Sequence, residues 1–257
     1  MAVPVMLRVV EREALVFRRL WRGIVFTQFV QPVLYLAAMG VGLGALVDAS
    51  SGSVDGLSYL DFVAPALLVA SAMQLATAES LWPVLAGVIW MRFYHGTAAT
   101  PIRPGEIFCG FVVWIGVRTA MSAVIFLVVA ACVGAVSSAW GVAAIGAAVL
   151  TAAAFAAPVA GYSIRQETDL AFPLVMRLGV LPLFLFSGTF FPVSQLPSAL
   201  QPIAYCSPLW HGIELARGAT TGDIAALAAL GHVAFLLAVV GAGAWWGARG
   251  FNRRLCP

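Results

Sequence analysis

The sequence predicts an all-α membrane protein: six transmembrane helices, an N-terminal amphipathic helix lying in the interface, and re-entrant outer helices between spans five and six. Three observations predict it. Of 257 residues, 62% are hydrophobic and 10% charged, with a mean hydropathy of +0.98, whereas soluble domains run nearer half apolar and a quarter charged. Six apolar runs reach the roughly 20 residues that a helix needs to cross hydrocarbon. The arginines cluster on one side of those runs. A chain of this length cannot hide so much apolar surface in a water-soluble core, and disorder requires the opposite composition.

All 14 basic residues are arginine and there is no lysine. A phosphate-cradling P-loop and a Schiff-base site both need a lysine amine, so any ATP that drives this chain must be bound by another. The net charge of +3 is too small to suggest nucleic acid. Cys109, Cys132, Cys206 and Cys256 form no C-x-x-C or Cys/His cluster, which leaves metal and redox motifs unsupported and reads as small apolar packing residues with one thiol near the C-terminus.

The elements follow in order. Residues 4–21 place Leu7, Val10, Ala14, Phe17, Leu20 and Trp21 at helical spacing, with Arg8, Glu11, Arg12 and Arg19 mainly elsewhere, the pattern of an interfacial helix. A basic anchor that only fixes topology is the alternative. The first apolar run, 23–47, is longer than a signal-peptide core and lacks a convincing small-residue cleavage site, so the N-terminus is read as retained. Spans are expected at 23–47, 62–90, 108–133, 140–162, 172–191 and 224–247. The second, about 44 Å long if continuous, contains Pro83 and should kink near Trp82–Pro83 or tilt strongly. Between the last two spans, 191–223 carries Pro192, Pro197, Pro202 and Pro208 among apolar residues. Short helices entering the outer half of the membrane, covered by protein, would satisfy both features.

Arginine placement gives the orientation. Eleven arginines fall in 1–22, 91–107, 163–171 and the tail, against Arg217 alone on the other side, which puts both termini in the cytoplasm. The chain thus divides into a cytoplasmic N-terminal interfacial helix (1–22), a six-span domain (23–248) and a cytoplasmic C-terminal tail (249–257).

Ionisable residues inside spans are costly and face protein or a water cavity. Glu79 and Arg118 both fall about 16–18 Å from the cytoplasmic end of their helices, so antiparallel neighbours can bring them together. The pair either lines a transport path or holds two helices together. Arg177 is expected to snorkel. The stretch 91–107 is too apolar for a mere turn and suggests a short helix docked on a cytoplasmic partner, or tucked against its own spans. Arg165-Gln166-Glu167-Thr168-Asp169 is a second docking point or a solvated cap. On the outer side His211, Glu214 and Arg217 share a helix face at i, i+3 and i+6. One His with one carboxylate is an incomplete metal site, and capping of a re-entrant helix is the simpler reading. Gly40 with Gly44, and Gly243 with Gly247, are small-xxx-small pairs that permit close helix contact. No catalytic, cofactor-binding or metal motif is visible.

Three stretches carry a family resemblance. The first is Gln31-Pro32-Val33-Leu34-Tyr35-Leu36 running into Gly40-Val41-Gly42-Leu43-Gly44. The second is Tyr59-Leu60-Asp61-Phe62-Val63-Ala64-Pro65, continuing through Ser71-Ala72-Met73 to Thr77-Ala78-Glu79. The third and most distinctive is Phe186-Ser187-Gly188-Thr189-Phe190-Phe191-Pro192-Val193-Ser194-Gln195-Leu196-Pro197, completed by 207–218. With the six-span layout they cover nearly the whole chain, which resembles the permease subunits of ABC-2 type exporters, especially the NodJ-like lipo-oligosaccharide and daunorubicin-resistance permeases. The resemblance implies a permease that pairs with a second permease chain on two cytoplasmic ATPase subunits, with ATP and Mg bound by those partners and no cofactor in this chain. It implies ATPase contacts through 4–21 and 92–106, with Arg92, Tyr94, Thr100, Pro101, Arg103 and Glu106 as docking candidates. It also implies an outer re-entrant motif built on Gly188, Phe191, Pro192, Leu196, Pro197, Pro208, His211, Glu214 and Arg217. Where relatives often have Leu before Thr-Pro in a longer segment, this chain has Gly96-Thr97-Ala98-Ala99-Thr100-Pro101.

The expected function is therefore export of an amphiphile (a lipid-linked saccharide, glycolipid or hydrophobic drug) across a bacterial inner membrane. Two alternatives stand beside it. One is a proton-coupled secondary transporter using Glu79, against which the absence of an inverted repeat counts. The other is a non-transporting membrane assembly protein.

Overall fold

A computed structural model describes residues 5–43, 54, 56–223 and 225–256; Gly44 of the first glycine pair, Pro4 and Ile224 lie outside them. The described residues are almost wholly helical. Helix α1 is Val5–Tyr35, continued by π-helical Leu36–Leu43. Then come α2 (Tyr59–Val88), α3 (Phe93–Ala98), α4 (Pro104–Cys132) and α5 (Ala143–Ser163). They are followed by α6 (Phe172–Phe186, with a π-helical centre), α7 (Gln201–Tyr205), α8 (Pro208–Thr221) and α9 (Ala226–Leu255).

Four of these are long and apolar enough to cross a membrane: Tyr59–Val88, Pro104–Cys132, Ala139–Ser163 and Ala226–Leu255. The chain is thus a helical multi-pass membrane protein. The expected boundaries shift in several places. No helix break separates residues 5–21 from the first apolar run, because α1 continues through residue 22 to Tyr35. Helix α2 runs through Pro83 as one element and ends at Val88. The fifth run ends at Phe186, five residues early, because Ser187–Gly188 leaves the helix with Gly188 at φ 82°. Its 15 residues would reach about 22 Å, short of the hydrocarbon thickness. Helix α9 continues past residue 248 to Leu255.

Local chemistry sets the starts. Ser58 caps α2, accepting from the Asp61 N–H at 3.2 Å while its hydroxyl donates to Asp61 Oδ2 at 2.8 Å, the usual role of serine at a helix start. At α4, Pro104 occupies the first turn and the Glu106 carboxylate accepts the Arg103 N–H at 2.8 Å, half of a capping box. Ser207 caps α8, and Gly222 at φ 80° ends it. The α4–α5 turn is anchored at this end, where Ser137 and Ser138 donate N–H groups to Thr220 O at 3.1 and 2.9 Å.

Helix α2 is the centre of the bundle. Its most apolar window is 72% buried, against 11% for α9, so α9 packs along the periphery. Helix α5 lies between them, contacting both, while α1 packs on α4. Glycines set the α5–α9 approach. A Cβ at Gly243 would fall 2.7 Å from Pro158 Cδ, and one at Gly161 would fall 2.8 Å from Gly247 Cα. Gly243 and Gly247, read as permitting close helix contact, serve packing within the chain. Large apolar side chains on the outside, among them Phe26, Val128, Leu227, Leu230 and Leu237, present the surface that lipid or another apolar partner would cover. The four cysteines are all exposed free thiols, although Cys109, Cys132 and Cys206 were expected to pack. Each sits on an outward position of its helix or just past a helix end.

Candidate functional site

Three groups of residues carry the polar chemistry. The first is α3 and its surroundings, at the arginine-rich end. The chain leaves α2 at Val88, turns through Trp90–Met91 and enters α3 at Arg92, whose backbone is left-handed at φ 52°, ψ 19°. Gly87 makes the return possible, since a Cβ there would lie 2.6 Å from Phe93 Cζ. The Phe93 and Tyr94 rings then lie against α2, 4.3 Å apart between centroids. Tyr94 packs edge-on against Phe251 of α9 at 5.6 Å, and Phe251 against Phe108 of α4 at 5.4 Å. The Arg12 guanidinium of α1 covers the Phe93 ring at 3.8 Å. Four helices thus hold six residues of α3.

This arrangement divides the docking candidates. Tyr94 is 3% exposed and is an anchor of α3, not a surface residue; burial, and then the Glu13 carboxylate, push its hydroxyl above the usual phenol range. Glu106 is engaged in capping α4. Arg92, Thr100, Pro101 and Arg103 stay exposed, and Thr100 closes the turn through its hydroxyl to Thr97 O at 2.6 Å.

The second group lies between α1, α2 and α4. Arg118 Nη1 sits 2.8 Å from Glu79 Oε2. The arginine is buried (7% exposed) and the glutamate partly so (29%). Glu13 joins them from α1. Its carboxylate pairs with Arg12 at 2.7 Å and lies within electrostatic reach of Glu79 and Arg118. One deep guanidinium is therefore flanked by two carboxylates. Arg118 Nε and the hydroxyls of Thr77, Ser80 and Thr119 are buried without a hydrogen-bond partner among the described residues, and Pro83, one turn after Glu79, has no N–H to offer the Glu79 carbonyl. The sequence reading missed Glu13. Its signal was its place between Val9 and Phe17 at i, i+4 and i+8, where Val9 is buried and Phe17 meets Trp114 of α4 at 5.9 Å.

The third group is at the opposite end. Arg217 donates to Glu214 Oε1 at 2.7 Å and to Gly188 O at 2.9 Å, and covers the Phe62 ring at 3.8 Å. It thereby ties α8 to the bend after α6 and to the start of α2. The Ser187 and Ser207 hydroxyls meet at 3.0 Å. Leu196 and Val193 form a small apolar cluster with Phe191 and Trp210 packed on it. Gly188, Pro192, Glu214 and Arg217 line one small cleft of about 170 Å³, and Pro208 opens α8. His211 leaves this set. It turns to α9, with Nδ1 2.8 Å from His232 Nδ1 and its ring stacked on Phe235 at 3.9 Å. The expected shared face of His211, Glu214 and Arg217 is thus split between two neighbours. Burial, then the nearby His232, lower the His211 pKa to about 4. His232 was not singled out from sequence, where a lone histidine in an apolar run gives no sign of its partner. Arg177 is exposed.

The profile of the family described as ABC-2 type transporter matches residues 5–220, from the start of α1 to the end of α8. The chain belongs to the ABC-2 type transporter family. Among curated proteins, this ABC-2 chain is similar to Nodulation protein J of Rhizobium leguminosarum bv. viciae, 30% identical over 217 residues, covering 84% of this chain and 82% of the relative. Nodulation protein J of Sinorhizobium fredii is 32% identical over 189 residues, covering 74% and 71%. The Bradyrhizobium diazoefficiens protein of that name is 30% identical over 206 residues, covering 80% and 77%. All three groups of polar residues lie wholly or mainly inside the ABC-2 match; only the α9 partners Phe251, His232 and Phe235 fall beyond it.

Proposed function

We propose that this chain is the membrane-spanning permease of an exporter that moves an amphiphile, a lipid-linked saccharide, glycolipid or hydrophobic drug, out of the cytoplasm or inner leaflet. Two cytoplasmic ATPase subunits would bind ATP and Mg, and a second permease chain, identical or similar, would complete the membrane part. The arginine asymmetry supports an orientation with both termini in the cytoplasm of a bacterium whose inner membrane holds the complex. In that frame α1, and the short α6 together with the segment that follows it to residue 195, supply the remaining two of six crossings, and α7–α8 form re-entrant helices on the outer side.

The observation that carries this reading is the anchoring of α3. A six-residue helix has little stability of its own, yet here the Arg12 guanidinium of α1, the Phe251 ring of α9 and the close approach of α2 at Gly87 hold it. Its exposed neighbours Thr100, Pro101 and Arg103 are free to meet another protein. A push on α3 would reach α1 through Arg12–Phe93 and α9 through Tyr94–Phe251. From α1 it would pass to Arg118 and Glu79 through Glu13. Transport then requires that the two states of the membrane dimer differ in substrate affinity, because a ligand that binds both equally shifts nothing. This chain performs no covalent chemistry in that cycle.

The test is purification from the native host in mild detergent, with mass spectrometry of what accompanies the chain. A stoichiometric soluble subunit carrying a P-loop is the expected companion. Arg103→Glu, which alters an exposed side chain and leaves the anchoring rings in place, should release it. A chain that comes away alone in several mild detergents, with flux that collapses on adding an uncoupler, would overturn the ATP-driven reading in favour of proton coupling.

A further inference from the structure

A cleft of about 700 Å³ opens at the arginine-rich end, between the last turn of α2, α3, the turn after α5 and the last turn of α9. Arg92, His95, Arg253 and Arg254 line it, with Glu167 as its one acid. None of the three arginines forms an ion pair with a described residue, and Glu167 forms none with them. Arg165 stands behind the cleft, giving hydrogen bonds to Gly161 O and Trp246 O and lying over the Trp246 ring at 4.2 Å. Burial, then the charge of Arg253, depress its pKa. Among the described residues, no ion pair offsets the positive charge gathered here. Arg92 is held in place at a cost, as the one non-glycine residue at positive φ among those described, a conformation that disfavours any side chain.

The surroundings of the cleft indicate the kind of anion. Trp90 and Met91, directly before Arg92, are 61% and 71% exposed, and Leu170, three residues past Glu167, is 84% exposed. Apolar side chains left bare beside a guanidinium cluster at a helix end suit a ligand with a charged head and a hydrocarbon body. We propose that this cleft binds the phosphate of an anionic phospholipid headgroup, with Arg92, Arg253 and Arg254 as donors and the acyl chains lying along the Trp90–Met91 side. Guanidinium forks pair well with phosphate oxygens, and basic pockets between helices at the membrane surface hold lipid headgroups in this way. The inference needs only that the chain lies in a membrane, so it stands or falls separately from ATPase docking.

The experiment is native mass spectrometry of the full chain in detergent with added phosphatidylglycerol or phosphatidylcholine, alongside thermal shifts with each lipid. The wild-type chain should retain phosphatidylglycerol in preference, and Arg253→Gln/Arg254→Gln should reduce that preference about tenfold or more. Arg249→Gln is the control: this guanidinium covers the Trp245 ring at 3.8 Å and does not line the cleft, so the preference should persist. If the double variant is not monodisperse, Arg254→Gln alone should give a smaller loss in the same direction. Equal retention of both lipids, or an undiminished preference in the variants, overturns the proposal. So does stabilisation by millimolar inorganic phosphate alone that matches the lipid effect, which would make the cleft a site for soluble anions. Loss of a co-purifying soluble subunit from the double variant, with lipid preference intact, would reassign the arginines to a protein contact.

Discussion

The Arg12 guanidinium lies 3.8 Å from the centre of the Phe93 ring, joining the first helix to the short helix that follows α2. Cation–ring contacts of this kind contribute about 0.5–1 kcal/mol when partly exposed. Arg12→Gln and Phe93→Leu should each lower the midpoint of detergent-driven unfolding. A double-mutant cycle should return a coupling of about that size, well above the scatter expected for independent sites. A coupling of zero would show that α1 and α3 are neighbours without an energetic link, and the proposed route from α3 to Arg118 would lose its first step.

The pair at Arg118 and Glu79 makes an asymmetric prediction. Arg118 is the more buried partner, so Glu79→Gln strands a cation where solvent hardly reaches. The expected cost is about 2–3 kcal/mol, below that of a fully buried pair because Glu13 remains nearby as a second carboxylate. Adding Arg118→Met should recover most of the loss, since both charges are then gone. If Glu79→Gln is silent in stability but abolishes substrate transport, the pair belongs to the transport path; the reverse pattern makes it a helix clamp.

That Glu79 and Arg118 could meet across antiparallel neighbours was legible from residue counting, because helical rise is fixed, and they stand 2.8 Å apart. The start of α8 was legible too: Ser207-Pro208 is a local signal, as is Gly222 at its end. What failed to show were features decided by partners remote in sequence. Helix α9 passes Gly247 and Gly250 without stopping because these glycines admit Phe108 and Arg165 against its backbone, a tertiary reason that overrides a local stop signal. Tyr94 reads as a surface aromatic until Phe251, more than 150 positions away, is placed on it. Glu13 and His232 escaped for the same reason.

Two glycines on helices should respond in opposite directions to the same substitution. At Gly161 a Cβ would meet Gly247 Cα at 2.8 Å and Trp246 Cε3 at 2.9 Å, and backbone cannot move aside as a flexible side-chain tip can. Gly161→Ala should destabilise by about 1–3 kcal/mol through overpacking. At Gly231 nothing lies within 4 Å, so Gly231→Ala should be neutral or stabilise by up to about 1 kcal/mol through helix propensity. Thermal unfolding of both variants checks this. Equal effects would mean that α5 and α9 are not in the close contact described.

The last prediction concerns acid. His211 has its pKa lowered to about 4 from the 6.5 of a free side chain, by burial first and the neighbouring His232 second. Between these values the unfolded chain binds more protons at this position than the folded one, so stability rises with pH across the window. The contribution is complete above about 6.5 and is lost as pH falls through about 4. Protonating His211 also forces a positive charge against His232 Nδ1 at 2.8 Å, so acid should loosen α8 from α9 at this point specifically. Thermal midpoints measured between pH 4 and 7.5 should fall less steeply towards acid in His211→Gln than in the wild-type chain. Identical slopes would place the acid sensitivity elsewhere and leave the histidine pair as a pH-insensitive contact between the two helices.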